Sequence, residues 1–175
     1  SSASMKEPIY PPLDDDIVCI DALYTGPGLA CCYLVRGGDE YALVETGTTR
    51  SVDNILATLD ALGVGREQIA YVIPTHVHLD HAGGAGILMT RFPEARLLIH
   101  PRGARHMVDP TKLVASAKGV YGDELFEQLY GEVIAIEAAR VETLEDDAVV
   151  ALGQRRLRVR RSEERRVGKE CATGC

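Results

Sequence analysis

Apolar positions cluster in short runs at the start of the chain and take up a helical spacing further on. Residues 17–23 (IVCIDAL), 30–36 (ACCYLVR) and 40–45 (EYALVE) are rich in Val, Ile, Leu, Cys and Tyr, the composition of strands. Gly26-Pro27-Gly28 separates the first two runs and Gly37-Gly38-Asp39 the last two, which predicts a β-meander closed by a tight hairpin. Val52, Ile55, Leu56, Leu59 and Leu62 then recur at i, i+3, i+4, i+7 and i+10, one face of a helix. Ser51 is placed to cap that helix and Gly63 to end it.

Residues 69–73 (IAYVI) form the next expected strand, stopped by Pro74. A helix from about residue 84 to 91 ends at Phe92-Pro93, a buried strand covers 95–99, and His100-Pro101 opens a short helix. Residues 111–130 read as a further helix broken around Gly119 and Gly122, and 133–136, 148–152 and 157–160 are strand-like. Residues 1–16, with Tyr10-Pro11-Pro12 and Asp14-Asp15-Asp16, are expected to be an extended lead-in. The order predicts a mixed α/β (α+β) domain over residues 17–160, with sheets layered against helices.

At 175 residues the chain suits one domain. Its 46% apolar and 26% charged content excludes a disordered, collagen-like or coiled-coil protein. The net charge is −7, with no extended basic patch before Gln154. No nucleic acid is therefore expected as a partner, and no membrane either, because no apolar run approaches the ~18 residues of a span. A small-molecule substrate is the expected partner; the oligomeric state is left open. The segment SSASMKEPIYPPLDDD has no apolar core and is not read as a signal peptide, with Met5 a candidate start. Five cysteines, two of them adjacent at Cys31 and Cys32, suggest buried thiols in a cytoplasmic protein rather than a disulfide framework.

The C-terminal character is different. Seven arginines lie between Gln154 and Arg166, which would suit an acidic partner or a solvated end. However, residues 161–171 (RSEERRVGKEC) read as a short-read sequencing adapter translated in frame. Residues 161–175 are accordingly expected to be an artefactual tail, and no function is assigned to them.

The chemistry concentrates in Thr75-His76-Val77-His78-Leu79-Asp80-His81-Ala82-Gly83-Gly84. Residues two apart in extended chain point the same way, so His76 and His78 can reach one ion together. Asp80 and His81 fall where the chain turns into a helix and can face a second ion. Imidazole and carboxylate donors suit Zn²⁺, and also Fe or Mn. Gly83-Gly84 permits close backbone packing beside the loop.

This segment resembles the H-x-H-x-D-H signature of the metallo-β-lactamase-fold hydrolases, complete from His76 to His81. The strand ending Leu43-Val44-Glu45-Thr46-Gly47 resembles that family's strand ending in D-T-G, with Glu in place of Asp. The resemblance implies the N-terminal half of an αββα sandwich over residues 17–160. It implies that His76 and His78 ligate one metal and Asp80 and His81 another, with two Zn²⁺ in the intact domain, and that Asp80 also orients the attacking hydroxide. It further implies a third His after a strand at residues 157–160, a bridging Asp and a final His. No His follows His106 in this sequence, so each metal has two of its ligands here.

The function expected is a metal-dependent hydrolase, using a metal-bound hydroxide on an ester, thioester, lactone or amide. Glyoxalase II-like thioester hydrolysis or lactone hydrolysis is preferred to β-lactam hydrolysis, since secreted β-lactamases usually carry a signal peptide. The alternatives are a nuclease or phosphodiesterase, which would want a basic surface, an iron-dependent persulfide dioxygenase, and a non-catalytic metal-binding fragment. Lesser candidates have two readings each. His100 and His106 line a pocket or are structural, Glu45 supports the metal-ligand loop or caps a turn, and Tyr121 sits on a substrate loop or marks a helix break. Cys31 and Cys32 are neighbours in one strand and are expected on opposite faces.

Overall fold

The computed structural model describes residues 12–14, 16–21, 31–76 and 78–159, without the side chains of residues 12–14, Asp21, Asp80 and His81. The first eleven residues, the Gly26-Pro27-Gly28 break and the tail from residue 160 lie outside the described residues. The chain opens with β1 (Pro12–Asp14), β2 (Ile17–Asp21), β3 (Cys31–Gly37) and β4 (Glu40–Val44). It continues through α1 (Val52–Leu62), β5 (Ile69–Ile73), α2 (Leu79–Ala82) and α3 (Ala85–Arg91). Then come β6 (Arg96–Ile99), α4 (Pro101–Val108), α5 (Thr111–Leu129), β7 (Val141–Thr143), β8 (Ala148–Leu152) and β9 (Arg155–Val159).

Seven strands form one sheet in chain order, and β8 and β9 form a separate hairpin. The meander predicted from the sequence is antiparallel from β2 to β4, and β1, within the expected lead-in, pairs antiparallel with β2. From β4 to β7 the pairing is parallel, because helices cross over between those strands. β5 and β6 are covered on both faces, so they read as continuous apolar runs rather than as alternations.

Each face of the sheet has its own core. Ile20, Cys32, Leu34, Leu43, Val72 and Leu97 pack under helix residues such as Ile55, Leu59, Leu88, Met89 and Met107. Val35, Ala42, Ile73 and Leu98 face the other way and meet Val150 and Leu152 of the β8–β9 hairpin. The hairpin lies close enough that a Cβ added at Gly37 would sit 2.0 Å from the carbonyl oxygen of Leu152. Only a glycine permits this backbone approach.

Several expectations are corrected. Residues 133–136 are irregular rather than a strand; Ile136 is buried, but its N–H donates to the carbonyl of Met107 (2.9 Å) rather than to a sheet neighbour. The strand in this region is β7, aligned with β6 through Leu97–Val141. Leu62, the last position of the α1 stripe, is 39% exposed, whereas Val52, Ile55, Leu56 and Leu59 are buried. Ser51 makes no side-chain cap on α1. A 3-10 turn (Thr49–Ser51) already precedes the helix, and the cap moves one turn back, to Thr48 paired with Ser51. Cys31 and Cys32 do occupy opposite faces, as β2–β3 register requires. Cys32 is a buried thiol outside any disulfide, but Cys19 and Cys31 are disulfide-bonded, which departs from the reduced state expected of all the cysteines. Among the described residues no helix is long and apolar enough to cross a membrane.

Arg140 was not singled out in the sequence, yet it closes the α3–β6 connection. Its guanidinium donates to the carbonyls of Met89 (2.7 Å), Phe92 (2.5 Å) and Ala95 (2.8 Å), the first in the last turn of α3, where carbonyls lack helical partners, and the other two in the connection that follows. Charge-assisted bonds to part-buried acceptors are the strong kind. Replacing Arg140 by Met is expected to lower unfolding free energy by about 2–3 kcal/mol, read as a lower urea midpoint with an unchanged slope.

Candidate metal centre

Parallel pairing of β4 and β5 sets Val44 beside Ile73, so both strands end at the same edge of the sheet, where loops gather sites in layered α/β folds. Glu45 follows β4 directly. Its backbone adopts φ 70°, a left-handed conformation that is uncommon outside glycine, asparagine and aspartate, and its N–H donates to the Ile73 carbonyl (2.9 Å). Its side chain is 3% exposed and turns toward the end of β5. There Oε1 accepts the Thr75 N–H (3.0 Å) and Oε2 accepts the Thr75 hydroxyl. Of the two readings of Glu45, hydrogen bonding to the loop that carries His76 is the one observed.

Thr75 passes this grip to the first histidine: its Oγ1 lies 3.0 Å from Nδ1 of His76. His76 is half-buried and His78 exposed. Their rings lie 6.1 Å apart between centroids and only 21° from parallel, the same-side arrangement expected for residues two apart in extended chain. His78 then stands at the N-terminal boundary of α2, its carbonyl accepting the Ala82 N–H (2.9 Å). Asp80 and His81 have their backbone on α2; their side chains lie outside the described residues.

Two supports fix α2. Leu79 is buried against Phe126 and Tyr130, which ties the metal-ligand segment to the second half of α5. The end of α5 is held in turn by Arg50, whose guanidinium donates to the Glu127 carbonyl (2.8 Å) and the Gln128 carbonyl. On the other side Gly84 donates to the Gly47 carbonyl (3.0 Å). A Cβ at Gly84 would lie 2.7 Å from the Thr48 carbonyl oxygen, so the Gly83-Gly84 pair serves the close packing expected of it.

The other candidates lie at α4 and α5. His100 caps α4, its Nδ1 accepting the Arg102 N–H (3.1 Å). His106 is half-buried within α4. Tyr121 adjoins the kink of α5 at Gly122 (φ 81°), with its ring 6.0 Å from that of Tyr130. Beyond Pro74 and Thr75, a cavity of about 20 Å³ is also lined by His100, Glu145, Asp146 and Val159. That is room for about one water molecule, not for a substrate.

Two parallel imidazoles with a braced base fit a cation that accepts nitrogen donors. Among the described residues, no group of three or more His, Cys, Asp and Glu side chains converges, so the described part of the centre consists of His76 and His78. The Metallo-beta-lactamase superfamily profile matches residues 25–161. The chain belongs to this superfamily. The metallo-beta-lactamase SMB-1, solved with mercaptoacetic acid, superposes with a TM-score of 0.62 at 20% identity, covering 87% of this chain and 52% of that one. The class B3 di-zinc metallo-beta-lactamase LRA-12 from an Alaskan soil metagenome gives 0.60 at 22% identity, with 87% and 52% covered. These are likenesses of fold, and they make this chain the N-terminal part of a metallo-beta-lactamase fold. Coenzyme F420H(2) oxidase of Methanothermobacter marburgensis is 42% identical over 65 residues, 36% of this chain and 16% of that protein. The chain thus spans about half the length of these solved superfamily members and at most 34% of the curated relatives it matches.

In this superfamily member, Glu45→Ala would leave both Thr75 donors without their acceptor. The expected loss is about 2–3 kcal/mol of stability, with faster amide hydrogen exchange at Thr75 than at Ile73.

Proposed function

We propose that the protein of which this chain is part is a metal-dependent hydrolase of small-molecule carbonyl substrates, with thioesters and lactones the preferred class. The observation that carries this reading is the pair of near-parallel imidazoles of His76 and His78, braced through Thr75 by the buried Glu45, in a chain of the metallo-beta-lactamase superfamily. His76 and His78 would hold one cation, and Asp80 and His81 a second. Zn²⁺ is the metal proposed, with Fe or Mn as substitutes. The metal, when bound, supplies Lewis acidity toward the scissile carbonyl and makes water acidic enough to act near neutral pH.

The chain's own residues do the rest. The imidazoles offer neutral nitrogen donors, and Glu45 and Thr75 fix the orientation of the first. Asp80 orients the attacking oxygen by accepting its hydrogen bond. The Gly84–Thr48 packing holds the segment after α2 against the loop after β4, which would keep the two ligand pairs adjacent. The acidic charge of the chain suits a small neutral substrate better than a nucleic-acid backbone.

The test is a panel of thioester, lactone, aryl ester and β-lactam substrates with the zinc-supplemented protein, its chelator-treated form and Asp80→Ala. Zinc-dependent turnover of a thioester or lactone, reduced at least about 10²-fold in Asp80→Ala, is expected. Turnover that survives both the chelator and the substitution, or no turnover of any of the four classes, would sink the reading.

A second reading is favoured by the identity to an oxidase: the segment serves a redox protein and holds iron. Metal analysis after growth in mixed-metal medium separates the two. The hydrolase is expected to retain zinc over iron, and iron retention with oxygen uptake would transfer the proposal to the redox class.

A further inference from the structure

Three polar groups follow one another in the loop of His76, and with Glu45 ionised the Thr75 hydroxyl proton has one place to go. An ionised carboxylate only accepts, a hydroxyl offers one proton and two lone pairs, and a neutral imidazole has one N–H and one bare nitrogen. Glu45 Oε1 takes the Thr75 N–H (3.0 Å) and Oε2 takes the Thr75 hydroxyl proton. With its only proton committed, Oγ1 of Thr75 faces Nδ1 of His76 at 3.0 Å as an acceptor.

We infer that Thr75 is a positioning residue that sets the tautomer of His76, holding the proton on Nδ1 so that Nε2 carries the lone pair offered to a metal. Neutral imidazole in water favours the opposite form, with the proton on Nε2, so the loop inverts a preference rather than following it. The tautomer of a metal-binding His is set by the hydrogen bond of its other nitrogen. Here the partner is a hydroxyl polarised by a buried acid.

The backbone shows what this arrangement demands. Glu45 is held at φ 70°, a strained left-handed conformation for a residue of this kind. Burial to 3% exposure keeps water from competing for the Thr75 proton. A second histidine offers the opposite case within the same molecule. Nδ1 of His100 accepts from the Arg102 N–H (3.1 Å), which fixes the proton of neutral His100 on Nε2. The inference deepens the metal-site reading, on which its purpose rests; the tautomer itself does not depend on it.

The experiment is a long-range proton–nitrogen correlation spectrum of the full chain, ¹⁵N-labelled and metal-stripped, at a pH where the imidazoles are neutral. His76 and His100 are assigned by His76→Gln and His100→Gln. His76 is expected to show a protonated Nδ1 and a bare Nε2, and His100 the reverse. Thr75→Val should move His76 to the Nε2–H form, and Thr75→Ser should leave it unchanged. A wild-type His76 with its proton on Nε2 overturns the inference, and so does a Thr75→Val spectrum identical to wild type. The wild-type spectrum decides the matter even if the Val variant does not fold.

Zinc competition against a chromophoric chelator then tests the purpose. Thr75→Val is expected to weaken zinc binding about 10–100-fold, with Thr75→Ser close to wild type. A tautomer that switches while zinc affinity stays constant would remove His76 from the metal site and leave the tautomer assignment standing.

Discussion

The backbone ladder between β4 and β5 ends with the Glu45 N–H on the Ile73 carbonyl, and past that point a side chain continues it. The Glu45 carboxylate accepts both donors of Thr75 across the gap between the two strand ends. Everything in the metal-ligand segment is placed from there. His76 is oriented through Thr75, His78 follows at the same-side position, and α2 starts at His78. A buried carboxylate in an apolar neighbourhood is tolerated only when its lone pairs are used. Its two oxygens therefore make the strand ends a single rigid unit, and no larger set of contacts could replace them at this spot.

Around that unit the packing is divided between two faces. The helix-covered face of the sheet gives the site its foundation, with Ile55, Leu59 and Leu88 under the strands. The α5 helix adds a wall through Phe126 and Tyr130 against Leu79. Arg50 links the loop after β4 to the end of that wall. The loop that supplies the acid and the helix that braces the ligand segment are thus tied to one another as well as to the sheet. Positioning by several independent elements is what a preorganised site requires.

Most of the elements were legible because local pattern and tertiary environment agreed. The α1 stripe from Val52 to Leu59, the hairpin before Glu40, the short β5 strand and the break at Gly122 all carry their own signal. The misses occur where tertiary pairing overrides pattern. β7 has one Val and two polar residues and is a strand because β6 aligns it. Residues 133–136 are apolar because Ile136 fills the core beside Met107, not because they join a sheet. Leu62 matches the stripe but falls on the last residue of α1 and is exposed. In the site, His76 and His78 were readable from two-residue alternation at a strand end. Glu45 was open between two roles, since its choice depends on which strand lies beside β4. The link through Thr75 follows only from coordinates, although a hydroxyl residue directly before the first histidine was visible in the sequence. Arg140 had no signal, because its acceptors belong to the last turn of α3 and the connection after it, some fifty residues earlier.

The contact between Gly37 and Leu152 joins positions roughly a hundred residues apart, and its consequence is one of timing. The strands β2 to β6 leave the ribosome first, and their helix-side core can close as α1 and α3 appear. The opposite face, with Val35, Ala42, Ile73 and Leu98, has no cover until the β8–β9 hairpin emerges. At ~5–20 residues per second, the ~60 residues between Leu98 and Val159 leave that apolar face open for several seconds. The nascent chain therefore passes through a half-sealed state in which chaperones and neighbouring nascent chains compete for the surface that the hairpin will later occupy.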